Sequence, residues 1–208
     1  PAAELPAGIS HSGPCWWEPP VTGDELDEVD RTLAERDLPA CYVHLGRTFG
    51  GETLWPRLNA AFTDGPMQGL VERGRSGDAL PGPTAAVTVL RKPWLSPLVE
   101  RSRLVLTSGT SAPTMGALLS GRPLVMAPAG SEQPLLTAAC VRAGVALRLP
   151  EQPDPPLLHA TLNQALSDER LRQAVDVLGA RLRAADGPGA VATHVRSALR
   201  GGGTRLAG

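Results

Sequence analysis

Leu104-Val-Leu-Thr-Ser-Gly-Thr-Ser-Ala-Pro-Thr-Met-Gly-Ala-Leu-Leu-Ser-Gly-Arg-Pro-Leu-Val-Met126 carries the strongest pattern in this chain. Leu104 to Thr107 is a short apolar run with a β-branched centre, too short for a buried helix and right for a buried strand. Ser108 to Ala112 is a loop of small residues. Pro113 to Ser120 reads as a helix, with Pro113 tolerated in its first turn and Gly121 as its C-terminal stop. Leu124 to Met126 is again a strand. Strand, loop, helix and strand in such close succession are the unit of a parallel sheet.

The alternation continues on both sides. Upstream, Ala40 to Leu45, Gln68 to Val71 and Ala85 to Leu90 read as strands, with helical segments at Gly23 to Asp37, Thr53 to Phe62 and Ser96 to Glu100. Downstream, Gln133 to Ala143 is a helix closed by Gly144, and Ala146 to Leu149 is a last strand. Beyond Pro156 only helices follow: Leu157 to Leu166, a second announced by the cap signal Ser167-Asp-Glu169, and a third opened by Pro188. The fold class is therefore α/β, a doubly wound, Rossmann-like parallel sheet with C-terminal helices. Residues 1–22, rich in Pro and Gly, read as a linker on which Trp16 and Trp17 pack against something; residues 23–200 form the domain, and 201–208 a disordered tail.

In such sheets ligands sit outside the carboxyl ends of the strands. Two loops lie there, Gly46 to Gly51 and Ser108 to Ala112. Neither matches Gly-x-Gly-x-x-Gly or the P-loop, so on chemistry alone each is either an ordinary turn or a ligand loop.

Composition narrows the function classes. Hydrophobic residues make up 42% of the 208, enough for a sizeable core, while aromatics are only 3%. The net charge of -1 gives no electrostatic reason to expect nucleic acid or an anionic membrane as partner. Lys92 is the lone lysine, and the Arg, Ala, Gly and Pro enrichment reads as the coding bias of a GC-rich bacterial genome. Cys15, Cys41 and Cys140 are widely separated and form no metal or disulfide pattern, which points to a reducing cytoplasm. No apolar run approaches the roughly 20 residues that span a bilayer. The start at Pro1, without Met or an apolar leader, reads as a processed piece of a longer product.

From Arg103 to Leu149 the order of motifs resembles the donor-binding signature of nucleotide-sugar glycosyltransferases of the GT-B fold, in particular bacterial enzymes that decorate macrolides and other antibiotic natural products. The frame consists of Gly109, Thr114, Gly116-Ala-Leu118, Gly121, Pro123, Pro128, Glu132-Gln133 and Ala143-Gly144. His11-Ser-Gly-Pro14 resembles the segment after the family's interdomain linker, Tyr42 to Thr48 the start of its second domain, and Leu157 to Leu199 its closing helices. The resemblance implies the C-terminal, donor-binding half of a glycosyltransferase that moves a sugar from a thymidine or uridine diphosphate to a small hydroxylated acceptor. An N-terminal domain would bring the acceptor pocket and the catalytic base. No residue of this chain inherits a catalytic role, no cofactor or metal is implied beyond the substrate nucleotide, and the isolated chain is expected to be inactive.

The implied donor contacts are Gly46, Arg47 and Thr48 from the first loop, Ser108, Gly109, Thr110, Ser111 and Thr114 from the second, Trp94 near the base, and Glu132 and Gln133 toward the sugar. Backbone N–H groups at the start of a helix stabilise a leaving diphosphate, and small residues let the backbone come close. Ser108 stands where the family has His, Thr110 and Ala112 where it has Gly, Pro113 for Thr, Glu132 for Asp and Leu136 for Asn. These departures keep a second reading alive: a degenerate, non-catalytic module of the same fold, auxiliary to a partner transferase. Gly116 stands where many relatives have a Glu that grips the ribose, so thymidine diphosphate, which lacks the 2′-hydroxyl, is expected to bind at least as well as uridine diphosphate. Trp94 is either a base platform or packing, Arg47 either a phosphate contact or a solvated side chain, and His44 reads first as a core or interface histidine.

Overall fold

The computed structural model describes residues 9–44, 51–63, 65–72, 86–90, 92–150 and 152–201. In chain order the elements are α1 (Gly23–Ala34), β1 (Ala40–His44), α2 (Gly51–Ala61), β2 (Gln68–Glu72), β3 (Val87–Leu90), α3 (Ser96–Glu100), β4 (Ser102–Thr107), α4 (Ser111–Leu119), β5 (Leu124–Met126), α5 (Gln133–Arg142), β6 (Ala146–Arg148), α6 (Pro155–Ser167), α7 (Glu169–Ala184) and α8 (Gly187–Gly201). The strands form one six-stranded sheet in the order β3-β2-β1-β4-β5-β6. Every pairing is parallel.

The pleat of β1 explains why helices cover both faces. Cys41 and Val43 point into one core, with Leu54, Leu58 and Phe62 from α2 and its end and Leu158 and Leu162 from α6. Tyr42 points into the other, with Val29 of α1, Leu98 of α3, Ala117 of α4 and Val175 of α7. The central residues Leu104, Val105 and Leu106 of β4 are fully buried. A strand apolar on both faces belongs in the middle of a parallel sheet.

The helix ends follow local chemistry. The Asp168 carboxylate accepts from the N–H groups of Arg170 (2.9 Å) and Leu171 (3.1 Å), which caps α7 as the sequence announces. Asp154 caps α6 through the N–H of Leu157 at 2.7 Å. Helix α8 starts earlier than expected, at Gly187, because Asp186 accepts from the N–H of Gly189 at 3.0 Å and fixes its first turn. Gly201 is the last residue of α8, and the expected tail beyond it lies outside the described residues.

The segment before α1 is a structural part of the domain. Trp16 packs on the second core, and its indole N–H donates to the Ser96 hydroxyl at 3.2 Å. The Glu18 carboxylate accepts from the N–H groups of Leu95 (2.8 Å) and Ser96 (3.0 Å). Pro14 lies so close to Gly187 that a Cβ there would fall under 3.0 Å from its carbonyl. Trp17, by contrast, is 81% exposed.

The strand order reverses between β1 and β4. From β1 the chain winds outward to β2 and β3, and from β4 outward to β5 and β6 on the other side. The crossovers leave these two neighbours in opposite directions, so a crevice opens at their carboxyl ends.

Candidate functional site

His44, the last residue of β1, is in register with Thr107, the last residue of β4, and its carbonyl accepts from the N–H of Ser108 at 3.3 Å. The crevice is therefore floored by Ser108-Gly-Thr110, which leads into α4. Gly109 holds φ +93, and a Cβ there would lie 2.9 Å from the Thr137 hydroxyl and 3.2 Å from the Gln133 carbonyl. Only glycine combines that conformation with so close an approach to α5. Its N–H donates to the Thr107 hydroxyl at 3.2 Å.

Helix α4 begins one residue after Thr110, which has extended N-cap geometry (φ -71, ψ 152) but makes no side-chain capping bond. Among the described residues no side chain caps the opening N–H groups, where the positive end of the helix dipole also lies. The surrounding hydroxyls are equally unspent. Ser108, Thr110, Thr114 and Thr137 each bury a hydroxyl oxygen that has no hydrogen-bond partner among the described residues. A buried polar group left unmatched costs about 1–3 kcal/mol, and native chains rarely concentrate several in one place without a ligand or ordered water to match them.

The loop between β5 and α5 forms the next wall. The side-chain oxygen of Gln133 accepts from the N–H groups of Ala129 (2.9 Å) and Gly130 (3.3 Å), so that oxygen shapes the loop. Glu132 is solvent-facing at the N-cap position of α5. The Ser131 hydroxyl, and then its own backbone N–H, hold its carboxyl below the ordinary carboxylate range. Glu132 thus presents an anion to solvent while Gln133 is buried beneath it.

Trp94 is 3% exposed and is part of the second core, with the Lys92 ammonium 5.8 Å from its ring centroid. Gly116, on the first turns of α4, is covered by Leu95 and by the Trp16 ring, which a Cβ would meet at 3.4 Å. Arg122, next to the turn that ends α4, points to the opposite end of the sheet, where its guanidinium donates to the Glu100 carbonyl at 2.6 Å. On the other side of the crevice the Tyr42 hydroxyl donates to Glu72 at 2.9 Å, and the His44 ring lies 3.3 Å from the same carboxylate. Burial first, and Glu72 second, push the Tyr42 phenol well above its ordinary range. Gly46, Arg47 and Thr48 lie outside the described residues.

The structure thus brings Ser108, Gly109, Thr110, Ser111 and Thr114 together with Glu132 and Gln133 at one edge, and adds Thr137, Glu18 and the Tyr42–Glu72 pair. Thr137 carried one signal in the sequence: a polar residue one helical turn after Gln133, on the face that α5 turns to the sheet. Among the described residues no group of three His, Cys, Asp or Glu side chains is placed to hold a metal ion.

No protein-family profile matches the chain. It is 29% identical over 207 residues to a PGL/p-HBAD biosynthesis rhamnosyltransferase of Mycobacterium bovis (strain BCG / Pasteur 1173P2), an alignment that takes in 96% of this chain and 43% of the relative. The spinosyn forosaminyltransferase SpnP superposes with a TM-score of 0.71 at 15% identity, over 89% of this chain and 48% of that one. The glycosyltransferase VinC, in complex with DTDP, gives a TM-score of 0.67 at 18% identity, over 88% and 45%. The chain has the fold of one half of a GT-B glycosyltransferase. It spans less than half the length of the rhamnosyltransferase and of the GT-B structures it matches. Within that GT-B half, the uncapped helix α4 occupies the carboxyl edge of the sheet at the reversal of strand order. No described helix is long and apolar enough to cross a membrane.

Proposed function

We propose that this chain is the donor-binding part of a glycosyltransferase, one that takes a sugar from a nucleoside diphosphate and delivers it to a small hydroxylated natural product. The cluster of unmatched hydroxyls on Ser108, Thr110, Thr114 and Thr137 around the uncapped start of α4 carries the reading. A diphosphate offers the oxygens these donors lack. It also offers negative charge, which a helix N-terminus favours and which grows as the sugar departs. Glu132, anionic and open to solvent, is the group available to accept from sugar hydroxyls. In this reading Trp94, buried in the second core, would lie on the base side, and Gly46, Arg47 and Thr48 would close the diphosphate from the β1 side. The acceptor and its base come from the remainder of a two-domain enzyme working in the cytoplasm. Catalysis needs both halves held together, so the chain alone gives no turnover.

A thymidine nucleotide is the preferred donor. Gly116 has no side chain for the ribose, and Leu95 and Trp16 occupy the space above it. The thymidine diphosphate in the VinC complex is in keeping with this choice. Amide chemical shifts recorded while thymidine diphosphate is added test the reading. The largest changes are expected at residues 108–114 and at Thr137; changes confined to α6, α7 and α8 would overturn it.

One observation favours a second reading, in which the domain binds a partner and transfers nothing. The Gln133 oxygen is already used by its own loop. A chain whose residues 108–114 stay silent at millimolar nucleotide would belong to that class.

A further inference from the structure

The far end of the sheet, where the strands begin, holds a cavity of about 420 Å³ lined by Pro39, Arg103, Arg122, Leu166, Arg172 and Asp176, with Gly121 and Pro123 at its edge. Three arginines face one carboxylate there. We propose that this cavity is an anion site, distinct from the β1/β4 crevice, that takes a phosphoryl group carried by a small molecule.

Arg122 is the central group. One guanidinium nitrogen donates to the Glu100 carbonyl at 2.6 Å, while its Nε–H is buried and has no acceptor among the described residues. Burial, followed by the nearby Arg103 guanidinium, makes its positive charge harder to hold; Glu100 and Asp176 offset part of this. Arg103 lies on the first turn of the β4 pleat and is exposed. Its guanidinium makes no hydrogen bond or ion pair to the side chain of any described residue. Arg172 is tied to Glu169 at 2.7 Å through one nitrogen and keeps its other donors. Two guanidiniums that repel each other across a cavity, one with a buried unmatched N–H, are matched by an oxyanion between them.

The walls suit this ligand. Pro39 and Pro123 have no N–H to compete, and Leu166 keeps one side apolar. Gly121 holds φ +65, and a Cβ there would come within 2.9 Å of the Asp176 carboxylate, so the glycine lets that acceptor stand at the rim. Asp176 can accept from a hydroxyl of the attached group. A lone carboxylate would leave most of the donors of three arginines unmatched; a phosphate dianion with three free oxygens does not. The volume exceeds one phosphate and leaves room for a sugar-sized substituent.

The probes are inorganic phosphate and ribose 5-phosphate, titrated into the chain while the Arg Nε–H and backbone amide resonances are followed, with sodium chloride at matched ionic strength as control. The expected result is a saturable shift at Arg122 Nε–H, Gly121 and Asp176, tighter for ribose 5-phosphate, and weakened about tenfold by Arg103→Gln and by Arg122→Gln. Arg103 is exposed, so its variant decides the matter even if Arg122→Gln does not fold. Shifts that chloride reproduces, shifts confined to residues 108–114, or unchanged affinity in Arg103→Gln would each overturn the proposal.

Discussion

The two ends of the parallel sheet meet their surroundings by opposite means. Where the strands end, the described residues of the crevice floor are small: glycine, serine and threonine backed by the start of α4, with charge nearby as the Glu132 and Glu18 carboxylates and as Glu72 beside His44. Where the strands begin, the charge sits on long side chains, Arg103, Arg122 and Arg172. A ligand held by backbone and short hydroxyls is held by a shape the fold has already fixed. A ligand held by arginines is held by groups that must be ordered on arrival. The first arrangement suits a charge that changes during a reaction, the second a charge that is merely retained.

The sharpest break of this contrast is at the two glycines. Gly109→Val forces a β-branched residue into φ +93 and into contact with the Thr137 hydroxyl. It should cost about 3 kcal/mol in urea denaturation and abolish nucleotide binding. Gly121→Ala meets only the end of the Asp176 side chain, at φ +65, and should cost about 1 kcal/mol and leave nucleotide binding alone. Equal losses at the two positions would erase the distinction between a fixed and an adjustable end.

Next in size is a change of sign. Thr114→Val removes a buried hydroxyl that has no partner among the described residues while keeping its shape. Melting of the nucleotide-free chain should stay level or rise, by up to about 1 kcal/mol, whereas calorimetry should show thymidine diphosphate bound about tenfold more weakly. A loss of stability with unchanged binding would mean that the hydroxyls are structural. Below that lies Glu18→Ala, which uncaps the Leu95 and Ser96 N–H groups and should cost about 1 kcal/mol, read from denaturant midpoints.

The smallest effect belongs to the surface. Arg101 donates to Asp30 at 2.6 Å, and this bond, against a slight opposing effect of burial, holds the Asp30 carboxyl below its ordinary range. A depressed carboxyl stabilises the fold above the unfolded value, about pH 4, and loses that contribution as the pH falls through the lower folded value. Asp30 is half exposed, so Asp30→Asn should cost less than about 1 kcal/mol at neutral pH, and less again in high salt. A larger loss that salt does not reduce would show this end of α3 to be more rigid than its exposure suggests.

Most of the fold was legible in the sequence. Runs such as Leu104 to Thr107 are apolar on both faces, and only a central parallel strand needs that. Punctuation by Gly121, Gly144 and Asp168 placed the helix ends within a few residues. The start of α4 was read late, at Pro113 and not Ser111, because proline in a first turn is compatible with either boundary. Ser108, Gly109, Thr110 and Thr114 were legible because they are neighbours in the chain. Thr137, Glu18 and the arginine cavity were not, since they are assembled from distant segments and no local spacing records them. Gln133 lies beside this edge, yet its side-chain amide oxygen serves the loop, a choice that depends on a backbone turn no composition reveals.

Trp16, Leu95 and Gly116 form a stack with no free space between them. The Glu18 carboxylate accepts from the N–H groups of Leu95 itself and of Ser96. Together they make a mechanical linkage. A displacement of residues 14–18 by the width of a methyl group cannot be absorbed at Gly116; it passes into α4, whose preceding turns carry Thr114 and, at the N-cap, Thr110. Whatever pulls on the segment before α1 therefore adjusts the aim of the helix that faces the crevice, and glycine at 116 keeps that linkage free of slack.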